Sequence, residues 1–575
     1  MYILGLNAFH GDSSACIYKN GELIVASEEE RFRRIKHWAG FPSEAIKFCL
    51  NEAQISIKDV VHITLSRDPN ANVTRKMLHL VKKGVSLGNL IDRIQNRNKI
   101  SSVKLQLAEA LGVEEKEIKA EIHNIEHHRS HMASAFFASP FEESAILSVD
   151  GFGDFTSTMI GVGKGNKIEV LDSVTYPHSL GIFYTTFTQF LGFPYYGDEY
   201  KVMGLAPYGK PLYVDKLKDV IKFTENGFFS LNEKYFLHPT QGVKMSWEDG
   251  IPDIDKLYSP YLIAKFGNPR HKEDSLTDEH RNLAASVQKI TEDVIFYMLD
   301  HLHKQTSIDN ICITGGVAQN SVANGKILSS TPFKKIYIPP AGHDAGTSIG
   351  SALYLYNHLL DQPRTLPMYN PYTGSKYTVD VIEQLLLKHK IVYKRLNDAE
   401  LYDQVTNCLI EGGVVGWFQG RAEFGPRALG HRSILADPRR NDVKEILNLK
   451  IKRRESFRPF APSILKEYVS EYFEQVDDVP FMEKVFLIKQ DKRKDIPAVT
   501  HVDGTGRLQS VDKNVEPKYY NLINEFKNKT GIPVLVNTSF NENEPIVNSP
   551  QQALDCFLRT KMDMLVMENI LIKRD

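Results

Sequence analysis

Two histidines one helical turn apart are the most specific chemical feature of this sequence. His127 and His131 are separated by four positions, so a helix would place both imidazoles on one face. Two acids, Asp150 and Asp344, each follow an apolar, strand-like stretch further along the chain. Two imidazoles and two carboxylates form a ligand set suited to iron(II), manganese or zinc in an open catalytic site. The sequence therefore predicts that these four side chains hold one metal ion.

Each part of this predicted metal site has a simpler interpretation. A His-x-x-x-His pair also occurs by chance on the polar face of a surface helix. Asp150 and Gly151 together also fit a tight hairpin turn that needs no ligand. The metal hypothesis is favoured because both acids stand at strand ends and glycines follow them closely.

Glycine-bearing turns between strand-like segments indicate a nucleotide cleft. Residues 11–14 (Gly-Asp-Ser-Ser) and 151–153 (Gly-Phe-Gly) can direct backbone N–H groups at phosphate oxygens, because glycine lets the backbone approach closely. Gly315 and Gly316 precede a helix-like stretch through Lys326, with Asn320 and Asn324 one turn apart on it. Such turns are usually only turns, but three in this order favour nucleotide binding.

Arginines near the end of the chain predict an anion site. Residues 420–433 and 450–462 place arginines beside glycine and proline, where a solvated helix face is unfavourable. Such arginines suit bidentate phosphate capture. The alternative is a basic surface stripe for RNA. A formal net charge of −1 and the lack of an RNA-recognition aromatic motif disfavour it.

The elements that must position these residues repeat along the chain. Apolar residues 2–6, 15–18 and 22–26 read as strands, and Asn20-Gly21 is a strong hairpin signal. Residues 144–149 and 155–161 repeat the strand–acidic turn–strand unit, and residues 310–314 form another strand before the glycine pair. This pattern predicts a duplicated α/β domain that grips a nucleotide between its halves.

Turn-forming residues divide the chain into two predicted domains. Residues 1–360 form the first domain, residues 361–376 are rich in proline and other turn formers and form a linker, and residues 377–575 form the second, which begins with a helix over 379–389. Residues 211–278 are irregular and aromatic-rich, which predicts an insertion that roofs a substrate pocket.

Composition limits the compartment and the partners. The five cysteines are scattered, with no Cys-x-x-Cys pair, which fits a reducing compartment. The first ten residues lack a basic region followed by a long apolar one, so no signal peptide is predicted. No uncharged apolar run approaches the ~18 residues that span a bilayer. We expect a cytoplasmic protein that binds neither nucleic acid nor membrane.

Taken together, these motifs resemble the O-carbamoyltransferases of nodulation and antibiotic biosynthesis, a family that includes the tobramycin, cephem and ansamycin carbamoyltransferases. The resemblance covers essentially the whole chain. The segments that carry it are Asp-Ser-Ser-Ala at 12–15, Ser-Glu-Glu-Glu-Arg-Phe-Arg-Arg-Ile-Lys-His at 27–37, the 127/131 histidines, Val-Asp-Gly at 149–151, Lys-Val-Met-Gly-Leu-Ala at 201–206, Gly-Gly-Val-Ala-Gln-Asn at 315–320, Gly-Pro-Arg-Ala-Leu-Gly at 425–430, Arg-Pro-Phe-Ala-Pro at 458–462 and Asn-Thr-Ser-Phe-Asn at 537–541.

The resemblance implies a duplicated actin-like ATPase (RNase H-like) domain and a C-terminal α/β domain similar to threonylcarbamoyl-adenylate synthase. It implies that the C-terminal domain binds carbamoyl phosphate and converts it with ATP, and possible Mg²⁺, to carbamoyl adenylate. The N-terminal domain then transfers the carbamoyl group to the hydroxyl of a small molecule, a natural product or a sugar. Iron(II) is the metal implied at the His–Asp set.

The resemblance also assigns roles to residues at matching positions. Asp12 and Lys36 lie near the acceptor or the nucleotide, and Asp12 or His10 is our hypothesis for the base that activates the hydroxyl. The matching nucleotide-side positions are Ser179, Lys201, Gly204, Gly316 and Asn320. The matching carbamoyl-phosphate contacts are Arg427, Lys452, Arg458, Arg507 and Ser539.

Two alternatives differ in what they require. A tRNA threonylcarbamoyl-type modification enzyme would need a basic tRNA-facing surface, which the balanced charge disfavours. A non-catalytic nucleotide-binding regulator would have no use for the histidine pair or for the C-terminal arginines. Related hydrogenase-maturation enzymes carry zinc-binding Cys-x-x-Cys pairs, which this sequence lacks.

Overall fold

The chain forms two compact units in a computed structural model that describes residues 1–83, 103–243, 245–246, 248–365 and 367–574. The N-terminal unit comprises Met1–Asn320 and Ile327–Met368. The C-terminal unit comprises Tyr369–Asp575 together with the short segment Ser321–Lys326. The change from one unit to the other at Met368 lies inside the stretch 361–376 that the sequence marks as a linker.

The N-terminal unit begins with a five-stranded sheet in the order β3-β2-β1-β4-β5. Its strands are β1 Tyr2–Asn7, β2 Ser14–Lys19, β3 Glu22–Glu28, β4 Val60–Leu65 and β5 Glu121–Asn124. The first three pair antiparallel, whereas β4 and β5 run parallel to β1. Asn20 and Gly21 join β2 to β3 with φ of 50° and 83°, as the predicted hairpin requires.

A second five-stranded sheet repeats this topology, in the order β8-β7-β6-β13-β14. Its strands are β6 Glu143–Gly153, β7 Thr156–Lys164, β8 Lys167–Thr175, β13 Asn310–Thr314 and β14 Lys335–Tyr337. Again three strands form an antiparallel meander, and the last two run parallel to the first. Two sheets of one topology confirm the predicted duplicated, actin-like α/β fold.

Residues between β8 and β13 contain four very short strands as well as helices. These strands are β9 Ile221–Phe223, β10 Phe229–Leu231, β11 Met245–Ser246 and β12 Asp253–Ile254. They pair only with each other, as two antiparallel hairpins outside the large sheets. The stretch 211–278 is therefore an addition to the duplicated fold, and its role as the roof of a pocket stays a prediction.

Thirteen α-helices lie in the described part of the N-terminal unit. They are Glu30–Arg33, Ser43–Glu52, Val73–Lys83, Val103–Leu111, His127–Phe136, Leu180–Phe190, Glu199–Leu205, Val214–Leu217, His238–Gln241, Pro260–Phe266, Asp278–Thr306, Ile327–Ser330 and Thr347–Leu353. Within the residues that the structure describes, no helix combines the length and the apolar character needed to cross a membrane.

The C-terminal unit is built on a mixed sheet of eight strands, in the order β15-β24-β23-β16-β17-β22-β18-β21. Its strands, with two more that form a separate pair, are β15 Lys394–Arg395, β16 Val415–Phe418, β17 Arg432–Ala436, β18 Ala461–Leu465, β19 Phe486–Leu487, β20 Thr505–Gly506, β21 Gln509–Val511, β22 Val534–Ser539, β23 Met564–Met567 and β24 Ile570–Lys573. The predicted C-terminal α/β part is thereby confirmed.

Helices cover both faces of this sheet. Successive residues of its central strands point to opposite faces, and both faces carry apolar side chains. Val414, Phe418 and Ile434 belong to one buried cluster, whereas Val415 and Trp417 belong to another. The α-helices of the unit are Ser321–Asn324, Val379–Lys388, Asp398–Ile410, Val443–Ile446, Val469–Tyr472, Pro517–Thr530 and Pro550–Arg559.

Side chains near both ends of the stretch 361–376 make specific contacts. Near its start, the Arg364 guanidinium donates to backbone carbonyls of the N-terminal unit, including that of Ser139 at 2.7 Å. Near its end, the Tyr372 hydroxyl donates to the carbonyl of Leu429 at 2.8 Å, and its ring stacks on His431 with centroids 3.7 Å apart. Arg364 and Tyr372 are therefore each held by contacts within their own unit.

Candidate functional site

The helix His127–Phe136, called here the histidine helix, begins directly after β5. The Glu126 carboxylate caps it by accepting the backbone N–H of Arg129 at 2.8 Å. The helix packs against the helix Thr347–Leu353, where Gly350 leaves no room for a Cβ beside the carbonyl of Ser130. This close approach fixes the helix that carries both candidate ligands.

The four predicted metal ligands meet at one buried point. The Nε2 atoms of His127 and His131 are 3.1 Å apart. Asp150 Oδ2 lies 3.0 Å from His127 Nε2 and 3.3 Å from His131 Nε2. Asp344 Oδ1 lies 3.5 Å and 3.2 Å from the same two nitrogens. Helical spacing groups the two histidines and strand-end position marks the two aspartates, and the fold brings all four side chains together.

These separations match those of donors around a single cation. Ligand atoms about 2.1 Å from one ion stand about 3.0–3.4 Å apart in octahedral or tetrahedral geometry. All four residues are buried, so two facing imidazole nitrogens and two carboxylates converge at a point away from bulk water. The arrangement fits a divalent transition-metal ion held by two imidazoles and two carboxylates.

Electrostatics at this point also favour a positive charge. Burial alone would lower the pKa of His131, but hydrogen bonds to Asp150 and Asp344 raise it to about 9. Burial would raise the pKa of Asp150, but hydrogen bonds from His127 and His131 hold it well below the usual range. The carboxylates therefore retain a proton on an imidazole, and a metal ion would displace that proton.

The backbone orients Asp150 inside a disrupted part of the sheet. The pairing of β6 with β7 shifts register between Val149 and Gly153, which releases Asp150 from the regular ladder. Its Oδ1 atom accepts the N–H of Gly316 at 3.0 Å, leaving Oδ2 for the histidines. A Cβ at Gly316 would come within 2.7 Å of that Oδ1 atom, so the glycine permits this bond.

The predicted nucleotide-side residues have defined partners in the N-terminal unit. Ser179 caps the helix Leu180–Phe190 and donates to the Gly151 carbonyl at 2.7 Å. Lys201 Nζ lies 2.9 Å from Asp198 Oδ1, and Gly204 stands one turn later on the helix Glu199–Leu205. These contacts explain their positions, while nucleotide binding by them stays a prediction.

The predicted helix after Gly315-Gly316 is wrong in detail. A 3-10 turn, Gly316–Gln319, ends at Asn320, whose ψ of 82° breaks the helix before the short Ser321–Asn324 helix. The Asn320 amide instead exchanges two hydrogen bonds of 3.0 Å with the amide of Gln288. The side chain of Asn324 donates to the Glu483 carbonyl at 3.0 Å, so the two asparagines serve different neighbours.

His10 contacts Asp344, one of the candidate metal ligands. Its Nδ1 atom is 2.5 Å from Asp344 Oδ2, and its Nε2 atom is 3.2 Å from the Phe152 carbonyl. This places His10 where it orients the Asp344 carboxylate, as the partners of metal ligands commonly do.

Asp12 has a partner that the sequence did not indicate. His37 Nδ1 lies 2.8 Å from Asp12 Oδ1. Burial alone would lower the pKa of His37, but Asp12 raises it to about 9, and the pKa of Asp12 is lowered in return. Lys36 is exposed beside this pair. Asp12 and a protonated His37 thus form a half-buried ion pair.

The predicted carbamoyl-phosphate arginines cluster within the C-terminal unit. Burial, with Arg427 and Arg458 close by, lowers the pKa of Arg507 to about 9. Burial also lowers the pKa of Arg427 to about 10. Both values leave the guanidinium groups charged at neutral pH. Arg458 Nη1 lies 3.6 Å from Glu455 Oε2, and the Glu483 carboxylate acts on Arg427, so these acids offset part of the charge of the three guanidinium groups. The positive charge that remains suits an anion.

A carboxylate holds the loop that presents Arg427. Oε1 of Glu423 accepts the backbone N–H groups of Leu429, His431 and Arg432 at 2.7, 2.9 and 3.1 Å. This fixes the Gly-Pro-Arg-Ala-Leu-Gly segment at 425–430 as a rigid turn.

Lys452 and Ser539 lie together, and Lys452 hydrogen-bonds to the turn after β22. The Lys452 ammonium is buried and donates to Ser539 Oγ at 3.2 Å, Asn541 O at 2.8 Å and Asn541 Oδ1 at 2.6 Å. Lys452 therefore shapes the turn that carries Ser539, and direct phosphate contact by either residue stays a prediction.

The fold and these two clusters define a two-unit α/β protein with donors for a cation in one unit and donors for an anion in the other. Family models described as Carbamoyltransferase N-terminus and Carbamoyltransferase C-terminus match residues 2–353 and 406–574. This chain belongs to the carbamoyltransferase family and is an enzyme of that type. An enzyme assignment excludes the non-catalytic regulator.

Three relatives illustrate the range of the family. The chain is 40% identical to the uncharacterized protein sll1178 of Synechocystis, with 100% of this chain and 97% of that protein covered. It is 37% identical to nodulation protein NolNO of Sinorhizobium fredii, with 99% and 80% covered. It is 31% identical to the 3'-hydroxymethylcephem-O-carbamoyltransferase of Amycolatopsis lactamdurans, with 44% and 47% covered.

Proposed function

We propose that this enzyme moves the carbamoyl group of carbamoyl phosphate, through carbamoyl adenylate, to a hydroxyl group of a small molecule. The balanced reaction joins carbamoyl phosphate, ATP, water and an alcohol, and releases the carbamate ester, AMP, pyrophosphate and phosphate. Family membership supports carbamoyl transfer, and the name of the cephem relative supports a hydroxyl acceptor.

The arginine cluster supports carbamoyl phosphate as the donor. Carbamoyl phosphate is a small labile dianion, and guanidinium groups can pair with its phosphate oxygens and stabilise the phosphate that leaves when water releases carbamate, which ATP then adenylates. Arg427 and Arg458 stand close enough to Arg507 to lower its pKa, so Arg507 is relieved of this repulsion when an anion binds. In this proposal they hold the phosphate while its carbamoyl group is activated with ATP.

The buried His–Asp cluster supports a resident divalent metal in the transfer site. His127, His131, Asp150 and Asp344 would hold iron(II), manganese or zinc, which supplies Lewis acidity to a carbonyl or phosphoryl oxygen. The Nδ1 atom of His10 holds the second oxygen of Asp344 in place.

Asp12 is the residue that we assign to accept the proton of the acceptor hydroxyl. Its lowered pKa keeps it ionised at neutral pH, and the protonated His37 imidazole fixes the orientation of its carboxylate. Of the two candidate bases, His10 pairs with Asp344, a candidate metal ligand, whereas Asp12 pairs with His37 outside the His–Asp cluster, so Asp12 is the better placed one.

The single observation that carries the proposal is the convergence of two imidazole nitrogens and two carboxylate oxygens within 4.8 Å of one another in a carbamoyltransferase. A cation beside the reacting carbonyl would stabilise the negative charge that develops there during group transfer.

The test supplies the purified protein, after iron(II), manganese or zinc loading, with ATP, carbamoyl phosphate and a panel of hydroxylated metabolites. We expect AMP and pyrophosphate to accumulate and one acceptor to gain the mass of a carbamoyl group. Omission of carbamoyl phosphate should abolish both signals. Product formation without ATP, or carbamoylation of added tRNA in place of every small molecule, would overturn the proposal.

A further inference from the structure

A second group of potential metal ligands lies at the edge of the first sheet. It comprises His62 on β4 with Glu121 and His123 on β5. His62 Nδ1 lies 3.0 Å from His123 Nε2, and Glu121 Oε2 lies 3.8 Å and 3.6 Å from the same two nitrogens. The three donor atoms therefore form a small triangle that shares no residue with the His–Asp cluster described above.

The sheet register places all three side chains on one face. His62 pairs with Glu121, and Thr64 pairs with His123, in the parallel ladder between β4 and β5. Paired residues and residues two apart share a face, so the triangle follows from the backbone and needs no unusual rotamer. The side chains of His62 and His123 are only 13% and 18% exposed, whereas that of Glu121 is 70% exposed.

From this geometry we infer that His62, Glu121 and His123 form a second cation site, selective for a divalent transition metal such as Zn²⁺. Two imidazole nitrogens and one carboxylate oxygen are ligands of borderline-soft ions, and magnesium or calcium would require more oxygen donors. Donors around one zinc ion stand about 3.4 Å apart, between the shortest and the longest side of the triangle. Water completes the coordination on the exposed side.

Binding at this site ties the edge strand to its neighbour. β5 is the last strand of its sheet and is four residues long. The histidine helix begins only four residues after His123, so a cation here restricts the motion of the segment that leads into this helix. The competing explanation is a single proton shared between His62 and His123, which would require no metal.

Equilibrium dialysis of the full-length protein against Zn²⁺ separates these explanations. The variant with His62→Gln and His123→Gln should bind one zinc ion per chain fewer than the wild type. The variant with His127→Gln and His131→Gln should also lose one, from the other cluster, so the two losses are independent. His303→Gln is the matched control, because within the part of the chain that the structure describes His303 has one carboxylate nearby, that of Asp309 at 3.7 Å. It should bind as many ions as the wild type.

A second measurement uses the wild-type protein, so it does not depend on whether the variants fold. Zn²⁺ should protect His62 and His123, but not His303, from ethoxyformylation, as mapped by mass spectrometry. Glu121→Gln should weaken this protection by at least ~10-fold in zinc concentration. Equal stoichiometry in the wild type and the first double variant, or protection of neither histidine, would establish proton sharing alone and overturn the inference.

Discussion

His127 and His128 are adjacent in sequence, but their rings contact different partners. His127 directs Nε2 at Asp150 and Asp344, whereas His128 contacts Ser148 Oγ at 2.8 Å and the Thr156 carbonyl at 3.1 Å. Burial lowers the pKa of His128 to about 3, so it is a neutral core residue. The two positions therefore allow the metal and the structural role of a histidine to be tested separately.

We expect His127→Gln to lower carbamoyl transfer at least ~100-fold, because Lewis acidity is worth several kcal/mol at a developing charge. The variant should remain folded, since Gln fills most of the imidazole volume. Steady-state product formation and metal content per chain measure the two effects. Full activity in a variant that no longer binds metal would refute the role of the cluster.

His128→Gln is the matched control for that experiment. It removes two buried hydrogen bonds of the ring, so we expect a loss of ~1–3 kcal/mol in the free energy of unfolding. Metal content per chain should stay at the wild-type value. Urea denaturation and metal analysis of the same preparation test both statements.

The Asp12–His37 ion pair predicts a defined pH dependence of stability. The folded pKa of His37 is about 9, above the ordinary value of ~6.5. The stabilisation is therefore complete below pH ~6.5 and is lost as pH rises through 9. Asp12 adds the opposite limb: its lowered pKa gives stability above pH ~4 that disappears in stronger acid.

We expect His37→Gln to flatten the alkaline limb of that profile. Urea midpoints of wild type and variant, measured from pH 6 to pH 10, should differ most at pH 6 and converge above pH 9. His303→Gln, far from Asp12 in sequence and paired with Asp309, should not change the shape of the profile. A constant difference between His37→Gln and wild type across this range would contradict the assignment.

Sequence spacing revealed the ligands that one helix turn groups, and it missed those that only the tertiary fold joins. His127 and His131 could be paired from their four-residue separation, and strand-end position marked Asp150 and Asp344. The contact of His10 with Asp344 spans more than 300 positions, so no local pattern indicates it. His37 was read as part of a motif, but its partner Asp12 is set by how β2 and β3 fold back.

At the scale of elements, the contact between the histidine helix and the helix Thr347–Leu353 determines the geometry of the site. One helix carries two candidate ligands, and the other directly follows the turn Asp344–Gly346 that carries a third. Gly350 allows their backbones to approach closely. A separation of these helices would pull Asp344 away from His131.

We expect Gly350→Ala to destabilise the fold by ~1–3 kcal/mol, because its methyl group would overlap the backbone of Ser130. The same displacement should weaken metal binding by at least ~10-fold. Gly151→Ala is the control for stability, since nothing lies within 4 Å of its added Cβ. Thermal unfolding with and without added metal measures both effects, and a Gly350→Ala variant as stable as Gly151→Ala would contradict this packing.

Secondary-structure elements could be predicted from the sequence where they depend on neighbouring residues. They could not be predicted where they depend on residues distant in the chain. The repeated strand–turn–strand units and the Asn20-Gly21 hairpin could be predicted because alternation and turn chemistry depend on adjacent residues. The helix expected through Lys326 is interrupted because the Asn320 amide pairs with Gln288, on a helix that begins more than 40 residues earlier. The packing of 361–376 likewise depends on partners such as Leu429, far along the chain.

At the scale of the whole molecule, the net charge of −1 includes two different clusters, one suited to a cation and the other to an anion. The N-terminal unit concentrates carboxylates around imidazoles, and the C-terminal unit concentrates guanidinium groups. Each cluster is built entirely from residues of its own unit. Activation of the carbamoyl group and its transfer should therefore be separable by substitution.

Arg507→Gln should lower carbamoyl-phosphate-dependent release of pyrophosphate from ATP at least ~100-fold, because it removes the buried charge that we propose to contact the phosphate. Its metal content should be unchanged. His131→Gln should show the converse: pyrophosphate release continues while no carbamate ester forms. Arg364→Gln is the control, since the Arg364 guanidinium donates to backbone carbonyls of Phe136 and Ser139 and lies over the Phe136 ring, within the N-terminal unit. If Arg507→Gln and His131→Gln abolished pyrophosphate release equally, a single site would perform both steps, and the division of labour proposed here would be wrong.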